Sequence, residues 1–232
     1  MALEVKGLIA GYGPVTILQG VDFEAAPGRI TCLMGRNGVG KSTFLKSLMG
    51  LVPATEGSIR LDGVALEGLP AHQVPRQGIA YVPQGRRLFG PLTVAENLAV
   101  GGLVQGNDPQ LLDRVLTLFP LLRARLGQTA QTLSGGEQQM LAIARALCLD
   151  PRVILLDEPT EGLQPSMIAL IQDAVLSLKG QGVAVVLVEQ RVEAVCRLAD
   201  SVAFMLGGRV VESRDARGLS AADPVFRTFV GV

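Results

Sequence analysis

Apolar and polar positions alternate through the first third of the chain, with glycines between the runs: LEVKGLIAGY, VTILQGVDFEA, RITCLM, then GSIRLDG and GIAYVPQ. That rhythm predicts strands joined by tight turns. From Asp150 onward short apolar runs (VILLD, VAVVLVE, SVAFML) alternate with stretches of helical period, which predicts a parallel sheet with crossover helices. Between these regions, TVAENLAVGG, PQLLDRVLTLF and LLRARLG show helical spacing and no strand signal. The expected organisation is one domain over 1–232. Residues 1–90 and 133–232 would form the core with an antiparallel β subdomain at its start, and 91–132 a helical insertion. No internal repeat or low-complexity tract interrupts it, and no further C-terminal domain is expected after SVAFML.

A chain of 232 residues can bury a substantial core. Its hydrophobic fraction is high, 48%, yet no apolar run approaches the roughly 18 residues that would cross a bilayer. The first residues, MALEVKGLIAGYG, lack the zones of a signal peptide, so a cytoplasmic location is expected. Cys32, Cys148 and Cys196 are odd in number and widely spaced, which suits buried small hydrophobes better than a disulfide or metal site. Lys+Arg and Asp+Glu both total 21, so no net charge draws the protein onto nucleic acid, and no nucleic-acid partner is expected. The sole histidine, His72, stands in loop-like LPAHQVPRQG and is expected to be exposed without a role.

RITCLM runs into GRNGVGKST and then FLKSLMGL, giving strand, glycine-rich loop and helix in order. Gly35, Gly38 and Gly40 let the backbone fold tightly around an anion, so that its N–H groups and the helix N-terminus face phosphates. Lys41 would reach the β- and γ-phosphates, and Ser42 would place its hydroxyl on Mg2+. A glycine-rich turn that binds nothing is the bland alternative. The spacing of glycines, Lys41 and Ser42, with the right elements on both sides, decides for a nucleotide.

VILLDE puts Asp157 and Glu158 at the carboxyl end of a buried strand, where ligands sit in open α/β sheets. Alone, these would be acidic turn residues. With the phosphate loop, Asp157 becomes a partner of Ser42 for Mg2+ and Glu158 a base for the attacking water. LSGGEQQMLAIARALCL starts another helix, with Ser134 as N-cap and Glu137 three residues on, a capping box. Ser134, Gly135 and Gly136 could equally form a second anion-binding N-terminus, and residue chemistry alone favours the simple cap.

GRNGVGKST, LSGGEQQ and VILLDEP, in this order, resemble the Walker A, signature and Walker B motifs of ABC-type ATPases, across nearly the whole chain. The resemblance implies an α/β fold with a P-loop NTPase-type parallel core and ATP with Mg2+ as cofactors. It extends the nucleotide contacts to Gly35, Arg36, Asn37, Gly38, Val39, Gly40, Lys41, Ser42 and Thr43. Tyr12 matches the aromatic that stacks on adenine, with a core aromatic as the alternative. Gln84 in YVPQ matches the Q-loop glutamine that meets the metal, with a polar cap as the alternative. It also implies a head-to-tail dimer in which Ser134, Gly135, Gly136 and Glu137 close over the partner's nucleotide.

The stretch VAVVLVEQRV ends in Glu189 and Gln190. By position Gln190 matches the family's switch residue, usually histidine. A carboxamide keeps a donor and an acceptor but cannot turn cationic, so Gln190 is expected to sense and position while Glu158 polarises water. Gln190, YVPQGRRLFGPLTVAENL and the short C-terminus look like ATPases of branched-chain amino acid and urea or short-amide importers. The stretch TEGLQP departs from the commoner pattern, which has alanine or serine where Glu161 stands here. The resemblance implies permease partners docked beside the Q-loop, with Arg86, Arg87 and Phe89 as candidate lining. It further implies an extracytoplasmic binding protein and a peripheral position on the inner membrane face. An exporter ATPase and a non-transport ABC ATPase are the competing readings.

Overall fold

The computed structural model describes residues 3–104 and 106–231. Two sheets enclose one helix. In the first, β1 (Leu3–Tyr12) pairs antiparallel with β2 (Val15–Ala25) and with β4 (Ala54–Leu61), and short β5 (Val64–Ala65) extends the edge. The second holds β3 (Ile30–Met34), β6 (Ile79–Val82), β7 (Val153–Asp157), β8 (Ala184–Val188), β9 (Ser201–Leu206) and β10 (Arg209–Asp215), in the order β10-β9-β3-β8-β7-β6. Its neighbours are parallel except β9 and β10. The sequence reading located every strand but β5 and β10. Most of β10 is exposed on both faces, so it carries no apolar alternation to detect.

Strands β3, β7 and β8 are buried along their whole length, which explains their continuous apolar runs. Alternate residues serve opposite cores. Ile30, Cys32, Met34, Ile154, Leu156, Val185 and Leu187 face one cluster. Leu33, Val153, Leu155, Ala184, Val186 and Val188 face the other. The second cluster contains α1 (Lys41–Leu48), wedged between the two sheets, with Phe44 packed edge-on to Phe23 of β2 at 5.1 Å. The phosphate-loop helix is thereby held on two sides.

The opposite cluster covers the parallel sheet with α5 (Gly135–Leu147), α6 (Pro165–Gly180), α7 (Val192–Leu198) and α8 (Pro224–Phe229). Between β6 and α5 come α2 (Val94–Gly102), α3 (Pro109–Leu118) and α4 (Pro120–Arg123), with no strand of either sheet among the described residues. Thr93 starts α2 with a capping box to Glu96, and Asp108 caps α3 ahead of Pro109, so both helix starts carry local signals. Leu98, Leu111, Val115 and Leu122 of these helices join Met140, Leu141 and Ala144 of α5 in one cluster. No described helix is long and apolar enough to cross a membrane.

Cys32 and Cys148 are buried, as expected of small hydrophobes, whereas Cys196 is only partly so. Burial raises all three thiols, Cys148 to about 11. His72 is exposed.

Candidate functional site

The carboxyl ends of β3, β7 and β8 converge with the N-terminus of α1. A cavity of about 360 Å3 opens there, lined by Asn37, Gly38, Gly40, Lys41, Ser42, Thr43, Gln84, Glu158, Glu161, Gln190 and Ile17. The loop into α1 depends on glycine at two places. Gly40 caps the helix with φ of 110°, and a side chain on Gly35, at φ 154°, would strike the carbonyl of Met205 at 2.4 Å. Gly35 and Val39 are therefore packed inward, and neither they nor the exposed Arg36 lines the cavity.

Lys41 is buried and donates to the carbonyls of Gly35 at 2.7 Å and Arg36 at 3.0 Å. Burial lowers its pKa, opposed by Glu158 and Asp157. Ser42 donates to Asp157 Oδ1 at 3.2 Å, and the Tyr81 hydroxyl donates to Oδ2 at 3.2 Å. Burial raises the pKa of Asp157 despite these donors, and raises that of Glu158 as well. A divalent cation fits this donor set. The described residues contain no group of three His, Cys, Asp or Glu that would cage a transition metal. One carboxylate with one hydroxyl instead suits a hard cation that takes its other oxygens from phosphates and water.

Glu158 has a left-handed backbone, φ 50°, a conformation that L residues other than glycine and asparagine avoid by about 1 kcal/mol or more. Its amide donates to the carbonyl of Val188 at 3.0 Å, which ties the ends of β7 and β8 together. The carboxylate accepts from Gln190 Nε2 at 2.5 Å. Position 190 thus faces Glu158 within the cavity, where the sequence reading put a sensor.

Glu189 has a different duty from its neighbour. It is buried, accepts from the Thr160 hydroxyl at 2.6 Å, and accepts from the amides of Gln190 at 2.9 Å and Arg191 at 3.1 Å. Its carboxylate fixes the loop that presents Gln190 and pins it to the loop after β7. Sequence reasoning missed this because a strand-end carboxylate looks the same whether it faces a ligand or its own backbone. Ile17, Tyr81 and Glu161 also went unassigned. Tyr81 carried one faint signal, since it shares the β6 face of Ile79 and points away from the helical side.

Tyr12 is half exposed at the end of β1, which removes the core-aromatic alternative, and it is not among the cavity's lining residues. Gln84 lines the cavity and donates to Glu161 Oε2 at 2.7 Å. Of the expected groove lining, Arg86 and Phe89 line a groove of about 240 Å3 against α2 and α5, and Arg87 lines the adjoining cavity beside Asp157; Pro75, Tyr81 and Leu149 line both. Both arginines have left-handed backbones.

The N-terminus of α5 lies outside the cavity: none of Ser134, Gly135, Gly136 or Glu137 lines it. Ser134 accepts from the Glu137 amide at 3.4 Å, its own amide donates to Glu137 Oε2 at 2.9 Å, and Arg125 pairs with Glu137 at 2.9 Å. Side chains on Gly135 and Gly136 would meet the Arg86 guanidinium and Met167, so both glycines also have packing reasons within the chain.

Comparison with known proteins extends this picture. The family model described as ABC transporter matches residues 18–161. The branched-chain amino acid transport ATP-binding protein BraG of Pseudomonas aeruginosa is 48% identical over 86% of this chain and 87% of its own. The probable LivF protein of Archaeoglobus fulgidus is 38% identical over 99% of both. Among solved structures, an ATP-binding subunit of an ABC transporter superposes with a TM-score of 0.83 at 29% identity, covering 98% of this chain and 93% of that one. The dimeric bacterial cassette MJ0796 gives 0.82 at 25% identity, covering 94% and 100%. Aligned with such relatives nearly end to end, and with the family model spanning most of its length, the chain belongs to the ABC transporter family of ATP-hydrolysing cassettes.

Proposed function

We propose that this cassette binds MgATP and closes head to tail with a second cassette. In this way it drives uptake of branched-chain amino acids, or of urea and short amides, through membrane permeases fed by an extracytoplasmic binding protein. One observation carries the reading: Lys41, Ser42, Glu158 and Gln190 share a cavity from which the Ser134 helix is absent, so each nucleotide needs a second chain to complete its contacts. The names of the two relatives support the amino-acid substrate.

In this reading the amides of Asn37 to Thr43 cradle the phosphates and Lys41 neutralises the β- and γ-oxygens. Tyr12 stacks on the base. Ser42, Asp157 and Gln84 would hold the Mg2+, which would supply positive charge beside the phosphates. Glu158 takes the proton of the attacking water. Gln190, unable to become cationic, holds Glu158 and reads the γ-phosphate position. ATP favours the closed pair because only that pair gives it both sets of contacts, and hydrolysis withdraws the bias.

The segment 91–132 and the groove of Arg86 and Phe89 would transmit closure to the permease. Arg145 supports this groove, with its guanidinium 5.2 Å from the Phe89 ring centre and bonded to the Arg87 carbonyl at 2.7 Å. Docking there places the protein on the inner face of the cell membrane.

Glu158→Gln tests the chemistry. Turnover measured by phosphate release should fall about 10²- to 10⁴-fold while ATP stays bound and a dimer accumulates on size exclusion. Residual turnover within a fewfold of wild type would overturn the assignment of Glu158 as base.

A further inference from the structure

Three side-chain bonds radiate from four successive residues after β7. Glu158 accepts from Gln190, Thr160 donates to Glu189, and Glu161 accepts from Gln84. The first two serve the water and the switch loop. The third ends on an exposed glutamate that lines the cavity at the start of α1.

A carboxylate can only accept, so the group it bonds to must be the NH2 of Gln84. The amide is planar, with oxygen and nitrogen on separate arms, so its oxygen cannot also face Glu161. Gln84 stands on the partition between two cavities, both of which Ser42 also lines. Glu161 lies in the first, and Asp157 in the second. Turning the nitrogen to Glu161 thus keeps the oxygen, the only atom of the amide that can ligate a cation, free of that bond. A flipped amide would set two acceptor oxygens against each other.

Resting on the assignment of Gln84 to the metal, we propose that Glu161 is a positioning residue. Its carboxylate selects the orientation of the Gln84 carboxamide and so pre-sets the oxygen for Mg2+. It does not touch the ion. Glu161 lies outside the phosphate loop but lines the same cavity, so its effect on the metal is read against each variant's own metal-free affinity.

The test uses the full-length chain and a fluorescent ATP analogue, with affinity measured in EDTA and across a Mg2+ titration, for wild type, Glu161→Ala, Glu161→Gln, Gln84→Ala and Glu161→Ala/Gln84→Ala. Metal-free affinity is measured for each variant as its own reference, and should tighten where the Glu161 charge, which repels phosphate, is removed. The Mg2+ concentration for half-maximal tightening should rise about three- to tenfold in both Glu161 variants, as fits one exposed, charge-assisted bond. Glutamine fails as well as alanine because it can present either face. In the double variant the shift should equal that of Gln84→Ala alone.

Unchanged metal dependence in the Glu161 variants, with a shift in Gln84→Ala, overturns the inference and leaves the role of Gln84 standing. Full additivity in the double variant shows that Glu161 does not act through Gln84 and overturns it too. No shift in Gln84→Ala removes Gln84 from the metal, and the inference falls with it.

Discussion

Two helices of this molecule begin in glycine-rich turns, and they present opposite pictures. At the start of α1 Asn37, Lys41, Ser42 and Thr43 line a cavity, with Lys41 and, at the end of β7, Asp157 buried at some electrostatic cost. At the start of α5 the polar groups turn on one another: Ser134 and Glu137 exchange two hydrogen bonds and Arg125 neutralises the carboxylate. The backbone chemistry of a helix N-terminus is the same in both. What differs is whether the surrounding side chains leave its donors something to do. The first end opens on a cavity within the chain. The second is self-satisfied, so its role must come from another chain or be purely structural.

Ser134→Asp breaks that comparison most sharply. Aspartate caps a helix as well as serine, so thermal stability should hold. Its charge would face the partner's phosphates, and turnover should fall about 100-fold or more from like-charge repulsion while single-chain ATP affinity is unchanged. Unchanged phosphate release would reduce the α5 end to a cap. Lys41→Ala probes the other end. Losing its charge-assisted bonds should weaken ATP binding about 10- to 100-fold by calorimetry, with or without a partner.

The smallest effect separates the two ends by pH. Burial raises the pKa of Asp157, so the fold favours its protonated form. The unfolded chain ionises from the ordinary value of 3.8 upward, so the stability penalty is complete above the folded pKa and absent below 3.8. Asp157→Asn should therefore raise the melting temperature of the nucleotide-free protein at neutral pH, with the gain vanishing towards pH 3.8. Glu137 shifts in the other direction, its opposing burial outweighed by the Ser134 hydrogen bonds and Arg125. Glu137→Gln should cost stability at neutral pH and little in acid. A uniform pH response from both variants would erase the distinction.

The difference between the ends also explains what could be read before any coordinates. The strand, glycine loop and Lys41–Ser42 sequence is a local code, because a phosphate cradle is built from one contiguous stretch. Asp157 and Glu158 were legible because a fully apolar run had to stop at a sheet edge. The capping box at Ser134 was legible too, but its two readings share one sequence signature. What escaped was the side-chain traffic between distant segments. Glu189 carried no assignment in the sequence and is a brace for Thr160 and the following amides. Arg86 and Arg87 looked alike, yet they line two adjoining cavities. Edge strand β10 went unseen because its exposure leaves no periodic trace.

The left-handed turn at Glu158 has a consequence for anyone seeking sturdier versions of this protein. Glycine fits that backbone at no steric cost, so a search guided by heat tolerance alone would drift towards it. With Glu158 as the proposed base, the harvest would be a tougher scaffold that grips its fuel and never burns it.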